Sequence, residues 1–297
     1  MNEKRLTRRS FLMLGSRIII GGSIASLLSA IYATEVEPSI IEVTRVKLSL
    51  PGLPEALDSL TIAQLSDFHV GPYVPIEHVR RAVAMTNALG ADVVVLTGDF
   101  VFESAVYSLA CAQELAGLKS RYGVYAVLGN HDIGKNAAKV TASLSNAGII
   151  VLHNEALPLF LGKSILWLVG LEDVYFKGGL SDFRDAWSEP MNDLGVMLKG
   201  IPPNDPRILL VHRPDCAEML PEGRIDLTLC GHTHGGQVRL PLLGSPIIPS
   251  FYGQKYASGL VHNPYTTVYV NRGIGLIPPA VRFNCPPEIT LFHLSKA

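Results

Sequence analysis

The chain has 297 residues, 48% of them hydrophobic and 17% charged, a balance that excludes a disordered chain and supplies one large core or two smaller ones. Its 27 Gly and 20 Pro are scattered without period, which excludes collagen-like and low-complexity architectures. The formal net charge of −1 offers no electrostatic basis for nucleic-acid wrapping, so no nucleic-acid partner is expected.

The charge is unevenly spread. Residues 1–17 hold Lys4, Arg5, Arg8, Arg9 and Arg17 against Glu3 alone, so the remainder is acidic. A basic stretch followed by an apolar one is the order of an export signal. Thr7-Arg8-Arg9-Ser10-Phe11-Leu12 resembles the twin-arginine pattern, with Met13 where a lysine often follows. Residues 1–35 are therefore expected to be a twin-arginine-type signal peptide or membrane anchor. The twin-arginine translocation machinery is then a partner, and the body at 40–297 is carried folded to the periplasm or cell envelope. The apolar run 18–33 falls short of the ~20 residues that span a bilayer comfortably, and its small-x-small sites are imperfect. Cleavage and membrane association through an uncleaved anchor both stay open.

The body alternates strand-like and helix-like stretches. Residues 60–65 form an apolar run ending at Ser66-Asp67, and 76–89 carry apolar groups at helical spacing. Residues 92–97 are β-branched and end at Gly98-Asp99; 105–119 read as a second helix. A strand at 123–128 ends at Gly129-Asn130-His131-Asp132, and 136–147 read as a third helix. Further strands are expected at 149–153, 164–170, 207–212 and 226–230, the last two ending at His212 and Gly231-His232. The Pro/Gly-rich stretch 239–264 is expected to be a long ordered loop, and 288–294 a final strand. Such alternation argues an α/β domain with buried central strands. Cys111, Cys216, Cys230 and Cys285 form no C-x-x-C pair and are read as small buried hydrophobes.

Polar residues recur at the C-terminal ends of these strands, where loops of open α/β sheets converge on ligands. The segments are Asp67-Phe68-His69, Gly98-Asp99, Gly129-Asn130-His131-Asp132, His212, and Gly231-His232-Thr233-His234. Asp67 and Asp99 are 32 residues apart, Asp99 and Asn130 31, each about one βαβ unit. Carboxylate and imidazole without thiolate suit Zn, Mn or Fe. In an extended D-x-H segment residues i and i+2 point the same way, so Asp67 and His69 reach one ion together. His232 and His234 do so by the same geometry. Asp99 has two oxygens with which to bridge two ions, and Asn130 adds a neutral oxygen.

This five-part pattern resembles the calcineurin-like metallophosphoesterase superfamily over roughly residues 58–295. A closer resemblance, to its YkuE/YaeI-type phosphodiesterase subgroup, rests on His212-Arg213-Pro214-Asp215, on GHTHGGQVRLPLLG from Gly231 to Gly244, on Asn271-Arg272-Gly273 and on CPPEIT from Cys285. The resemblance implies a sandwich of two mixed β-sheets flanked by helices. It implies one ion on Asp67, His69 and His234, a second on Asn130, His212 and His232, and Asp99 between them. It implies two divalent ions (Mn, Fe or Zn) lowering the pKa of a shared water, whose hydroxide attacks phosphorus in line. His131 would protonate the leaving oxygen, with Asp132 orienting it. The implied substrate is a phosphodiester or pyrophosphate. A membrane-associated enzyme of the UDP-diacylglucosamine pyrophosphatase kind, with a nucleotide-lipid substrate, and a metal-binding scaffold without catalysis are the alternatives.

Other residues have two readings each. Arg272 and Arg213 would grip substrate phosphate or fix loops through salt bridges. Glu172-Asp173 would orient a ligand imidazole or form a plain turn. Gly235-Gly236 and Gln237 would bring backbone near the metals or simply turn. Phe251, Tyr252 and Tyr256 would line a substrate wall or pack the core. His78, His153, His262 and His293 are read as surface or satisfied polar groups.

Overall fold

The structure, a computed structural model, describes residues 26–296; the twin-arginine string lies outside the described residues. Residues 26–31 are helical and exposed. Short helical turns at Tyr32–Val36 and Glu37–Ser39 follow. There the buried Glu37 carboxylate accepts hydrogen bonds from the Asn284 and Cys285 amides, tying this segment to the body. Among the described residues no helix is long and apolar enough to cross a membrane.

Among the described residues twelve strands follow in chain order. The first five are β1 (Glu42–Leu50), β2 (Thr61–Leu65), β3 (Val93–Leu96), β4 (Val124–Ala126) and β5 (Ile150–Val151). Next come β6 (Glu155–Leu161), β7 (Ser164–Gly170), β8 (Arg207–Leu210) and β9 (Leu227–Cys230). The last are β10 (Gly259–His262), β11 (Thr267–Val270) and β12 (Glu288–Lys296). One six-stranded sheet has the order β1-β12-β2-β3-β4-β5, the other β10-β11-β9-β8-β7-β6. Both are mixed: β2 to β5 run parallel with β12 antiparallel to β2, and β7, β8, β9 and β11 run parallel with β6 and β10 antiparallel at the edges.

The Val93-Val94-Val95-Leu96 run has no polar face because both of its faces are covered. Val93 and Val95 join Ile62, Leu168, Leu210 and Leu229 in a core between the sheets. Val94 and Leu96 pack outward, with Ala63 and Leu65, under helices α1 (Ile76–Leu89), α2 (Ser108–Leu115) and α3 (Asn130–Asn146). On the far side α4 (Leu180–Gly200) lays Phe183, Trp187 and Leu194 on the outer face of the second sheet, against Leu209 and Val211. The expected two-sheet sandwich flanked by helices is therefore present. The chain pattern left β1, β6, β11 and α4 unread, and 239–264 contains β10 as well as loop. The helix expected at 136–147 is the second part of α3. A break at Asn136 separates it from an opening turn at Asn130, and the Asn136 side chain caps the second part through the Lys139 amide at 3.0 Å. All four cysteines are buried and free.

Candidate metal centre

The C-terminal ends of β2, β3, β4, β8 and β9 meet at one place, and every motif residue is carried there. Asp67, His69 and His234 form one group, and Asp99, His212 and His232 a second; within each, one ligand atom per residue lies within 4.8 Å of the others. In the first group His234 Nε2 is 3.0 Å from His69 Nε2 and 3.3 Å from Asp67 Oδ1. In the second, His212 Nε2 is 3.2 Å from His232 Nδ1 and 3.0 Å from Asp99 Oδ2. Asp99 Oδ2 is also 3.6 Å from His69 Nε2, so this one oxygen stands between the groups. Asn130 Oδ1 is buried at the same strand ends without a hydrogen-bond partner. Convergent imidazole nitrogens, two buried carboxylates and an unpartnered amide oxygen fit a pair of divalent cations and would otherwise be costly to bury.

The route by which these side chains converge corrects one expectation. Asp67, His69, Asp99, His232 and His234 all have positive φ, from 46° to 72°, so the D-x-H and H-x-H segments are left-handed turns rather than extended strand. Side chains i and i+2 meet because the backbone curls, at a conformational cost that surrounding hydrogen bonds hold in place. The Asp67 and His69 amides bond the Gly98 and Asp99 carbonyls at 2.9 and 3.0 Å, locking one strand end to the next. Gly129 and Gly231 are required by close approach: a Cβ on Gly129 would overlap the Asp99 carboxylate, and one on Gly231 the Asp67 carboxylate.

Neighbouring groups set each ligand's state. His212 Nδ1 donates to the Thr97 carbonyl at 2.7 Å, which turns Nε2 toward Asp99. Burial opposes charge on His212, yet Asp99 and Asp67 push its pKa up to about 10. Burial pushes His234 down to about 3 despite Asp67 beside it, and lowers His232 with help from Arg213. Asp99 and Asp67 are held well below the usual carboxylate range against their burial, by His212 and by His234 respectively.

His131 opens α3 at the edge of the cluster. Its ring lies 4.8 Å from that of His69, and its amide donates to Asp99 Oδ1 at 2.8 Å. Burial lowers its pKa, with Asp99 acting in the other direction. Asp132 does not orient it through a direct bond. Both Asp132 oxygens are taken by backbone amides, of Asp99, Phe100, Val101 and Gly129, at 2.8 to 3.2 Å. The residue brackets two strand ends, because its side chain points back under its own helix start. Burial and the Asp99 charge push it up to about 7, against the Gly129 and Val101 amides and His212.

Arg213 and Arg272 part company. Arg213 Nε donates to both oxygens of buried Asp173, at 2.9 and 2.8 Å, and its guanidinium lies 4.8 Å over the Phe176 ring. This leaves Nη1 3.3 Å from His232 Nε2, facing the cluster. A cavity of about 270 Å³ opens there, lined by Asn130, His131, Lys135, Tyr175, Phe176 and Arg213. Arg272 is instead drawn into ion pairs with Glu42 and Glu288 at 3.1 and 3.3 Å, the loop-fixing alternative.

Asp173 thus holds an arginine rather than an imidazole, and Glu172 pairs with His153 at 2.7 Å. Gln237 staples Ile277 and Pro279 instead of approaching the metals. Tyr256 is core, donating its hydroxyl to Glu218; Phe251 is exposed, its ring 5.2 Å from that of Phe183. His78 is satisfied by the Ile274 carbonyl at 3.0 Å. Sequence reasoning passed over Lys135, Phe176 and Arg282, which carry no local motif. Arg282 is fully buried 3.4 Å from His234 Nδ1, and donates to the Arg272 and Gly273 carbonyls at 2.8 and 3.1 Å.

The calcineurin-like phosphoesterase family matches residues 60–236. The chain is 32% identical to the uncharacterized metallophosphoesterase YkuE of Bacillus subtilis, over 99% of each chain. It is 30% identical to phosphodiesterase YaeI of Escherichia coli, over 89% of this chain and 92% of that one. With UDP-2,3-diacylglucosamine pyrophosphatase LpxG of Chlamydia muridarum it shares 27% identity, over 95% of this chain and 98% of that one.

Proposed function

The chain belongs to the calcineurin-like phosphoesterase family and is a metal-dependent phosphoric ester hydrolase, and from that premise we propose that it cleaves a phosphodiester or pyrophosphate bond at the cluster around Asp99. The observation that carries the reading is the single Asp99 oxygen between two ligand groups. Asp67, His69 and His234 would hold one divalent ion, and Asn130, His212 and His232 the other, with Asp99 shared. Such a pair of ions supplies an activated water and neutralises charge on the phosphoryl oxygens. His131 contributes a proton to the departing oxygen. Arg213, steadied by Asp173 and Phe176, directs its free guanidinium edge at a phosphoryl oxygen. Asp132 keeps the strand ends, and so the ligands, in register.

A second reading, pyrophosphate cleavage in a nucleotide-activated lipid, is favoured by the near full-length similarity to LpxG. The basic-then-apolar order of residues 1–33 supports twin-arginine export to the periplasm or cell envelope, with the first 35 residues as signal or anchor and 40–297 as the catalytic domain.

The test is turnover of bis(p-nitrophenyl) phosphate by the full chain supplied with manganese. Activity should vanish on chelation and return with metal. A protein that holds two ions by elemental analysis and hydrolyses neither this diester nor UDP-2,3-diacylglucosamine overturns the reading. Release of UMP from UDP-2,3-diacylglucosamine selects the second substrate class.

A further inference from the structure

The metal cluster has two unlike flanks. Beside His131 the surface is polar and cationic, with Lys135 and Arg213. On the other side, past His234, lies a second cavity of about 220 Å³ between residues 246–249 and 277–281. Val238, Pro246, Ile247, Pro249, Ile277 and Val281 give it an apolar wall, and it ends at Thr233 and His234. His234 is the one titratable side chain in that wall, and its Nε2 faces Asp67 and His69. The other polar side chains there are occupied. Gln237 is bonded at both ends to backbone of Ile277 and Pro279, and Thr233 donates to the Ala257 carbonyl at 2.7 Å. The space therefore suits hydrocarbon, and the ring of His234, itself in the first ligand group, stands between it and Asp67 and His69.

Ile247 of the cavity wall and the turn that precedes it carry apolar side chains that stand exposed among the described residues. Leu242 is wholly exposed, and Leu243 and Ile247 are 77% and 76% exposed; backbone bonds between Leu240 and Gly244 at 2.8 and 3.0 Å close the turn that carries the two leucines. Ile247 belongs to both wall and rim. Val238 in the wall is bridged to Phe283, whose ring meets Tyr32 edge-on at 6.4 Å. Leu27, Leu28 and Ile31 precede it, also exposed, and continue in sequence from the apolar stretch that starts at Ile18. Exposed apolar groups beside an apolar cavity mark a surface that meets something apolar, and the basic-then-apolar order of residues 1–33 in the sequence matches a lipid surface.

We propose that the cavity beside His234 is the subsite for the hydrocarbon chain of a lipid-linked phosphoester, entered from a lipid surface over the Leu242, Leu243 and Ile247 rim. This rests on the hydrolase reading and narrows its substrate to an amphiphile whose phosphate sits at the ions and whose chain lies past His234.

Dodecylphosphonate and methylphosphonate, which have no ester to cleave, test the subsite by calorimetry on the metal-loaded full chain. The dodecyl compound should bind at least roughly tenfold tighter, the effect of burying about two methylenes. That ratio should fall toward one in Ile247→Asp, which charges the mouth at an exposed position, and in Val281→Trp, which fills the space. The thermal midpoint of each variant shows that it is folded. Equal affinities, or a ratio unchanged in both folded variants, overturn the subsite. Turnover of bis(p-nitrophenyl) phosphate in the same preparation is a separate readout. Its absence alongside a chain-length preference counts against the hydrolase reading and for the subsite.

Discussion

The two sheets furnish the metal centre differently. The first contributes both cluster carboxylates, with Asn130, His69 and His131, at intervals of about one strand–helix unit. The second contributes imidazoles, His212, His232 and His234, together with Arg213. The first half braces itself, since Asp132 gathers amides from two of its strand ends. The second half leans on the first. His212 is aimed by the Thr97 carbonyl, and the His232 amide is held by Asp67 at 3.0 Å. The carboxylate half thus braces its own strand ends, and the imidazole half is positioned by hydrogen bonds to it. Metal bound to the buried Asp67 and Asp99 carboxylates would add to the stability of these strand ends.

The comparison breaks most completely at the shared oxygen. Asp99→Asn should lose both ions, with metal affinity down by more than about 100-fold, beyond what an orienting group costs. Elemental analysis checks this, and loss of one ion alone would mean that Asp99 belongs to one half. A smaller effect is expected at the rim of the same half. His131→Ala should keep both ions while turnover falls roughly 10²- to 10⁴-fold. Undiminished turnover would remove His131 from proton transfer.

Weakening the second half is milder. Asp173→Ala frees Arg213 and should raise KM roughly 10-fold, with metal content unchanged. An altered metal content instead would make Asp173 a support of His232. The smallest effect is expected at Arg272→Ala. Its guanidinium is engaged by Glu42 and Glu288, so kcat/KM should hold within about twofold while stability drops by about 1 kcal/mol. A large fall in kcat/KM would return Arg272 to the phosphate.

How far sequence reasoning reached depended on whether a feature was local. An apolar run that stops at Asp67, Asp99 or Asn130 carries its strand and its candidate ligand in the same few residues, and the structure gathers these residues at neighbouring strand ends. β1 escaped because its partly exposed edge position gives no continuous apolar run, and its pairing to β12 joins residues more than 200 apart. Asp132 was identified but misassigned, because its partners are amides on another strand end. Asp173 and Arg213 were both noticed, yet nothing in either string pairs residues 40 apart. Arg282 and the cavity at 246–249 and 277–281 had no local signal at all.

By itself the sequence determined the ligand types, their order and the strand-end rhythm that brings them together, because apolar runs dictate buried strands and the motifs terminate them. The tertiary structure alone decided which atoms converge. Five site residues adopt left-handed conformations; hydrogen bonds from neighbouring strand ends, not the period of a strand, aim Asp67, His69, Asp99 and His232, and Arg282 lies against His234. The direction of a side chain on a curled loop is set by what the loop is bonded to, and those partners come from distant parts of the chain.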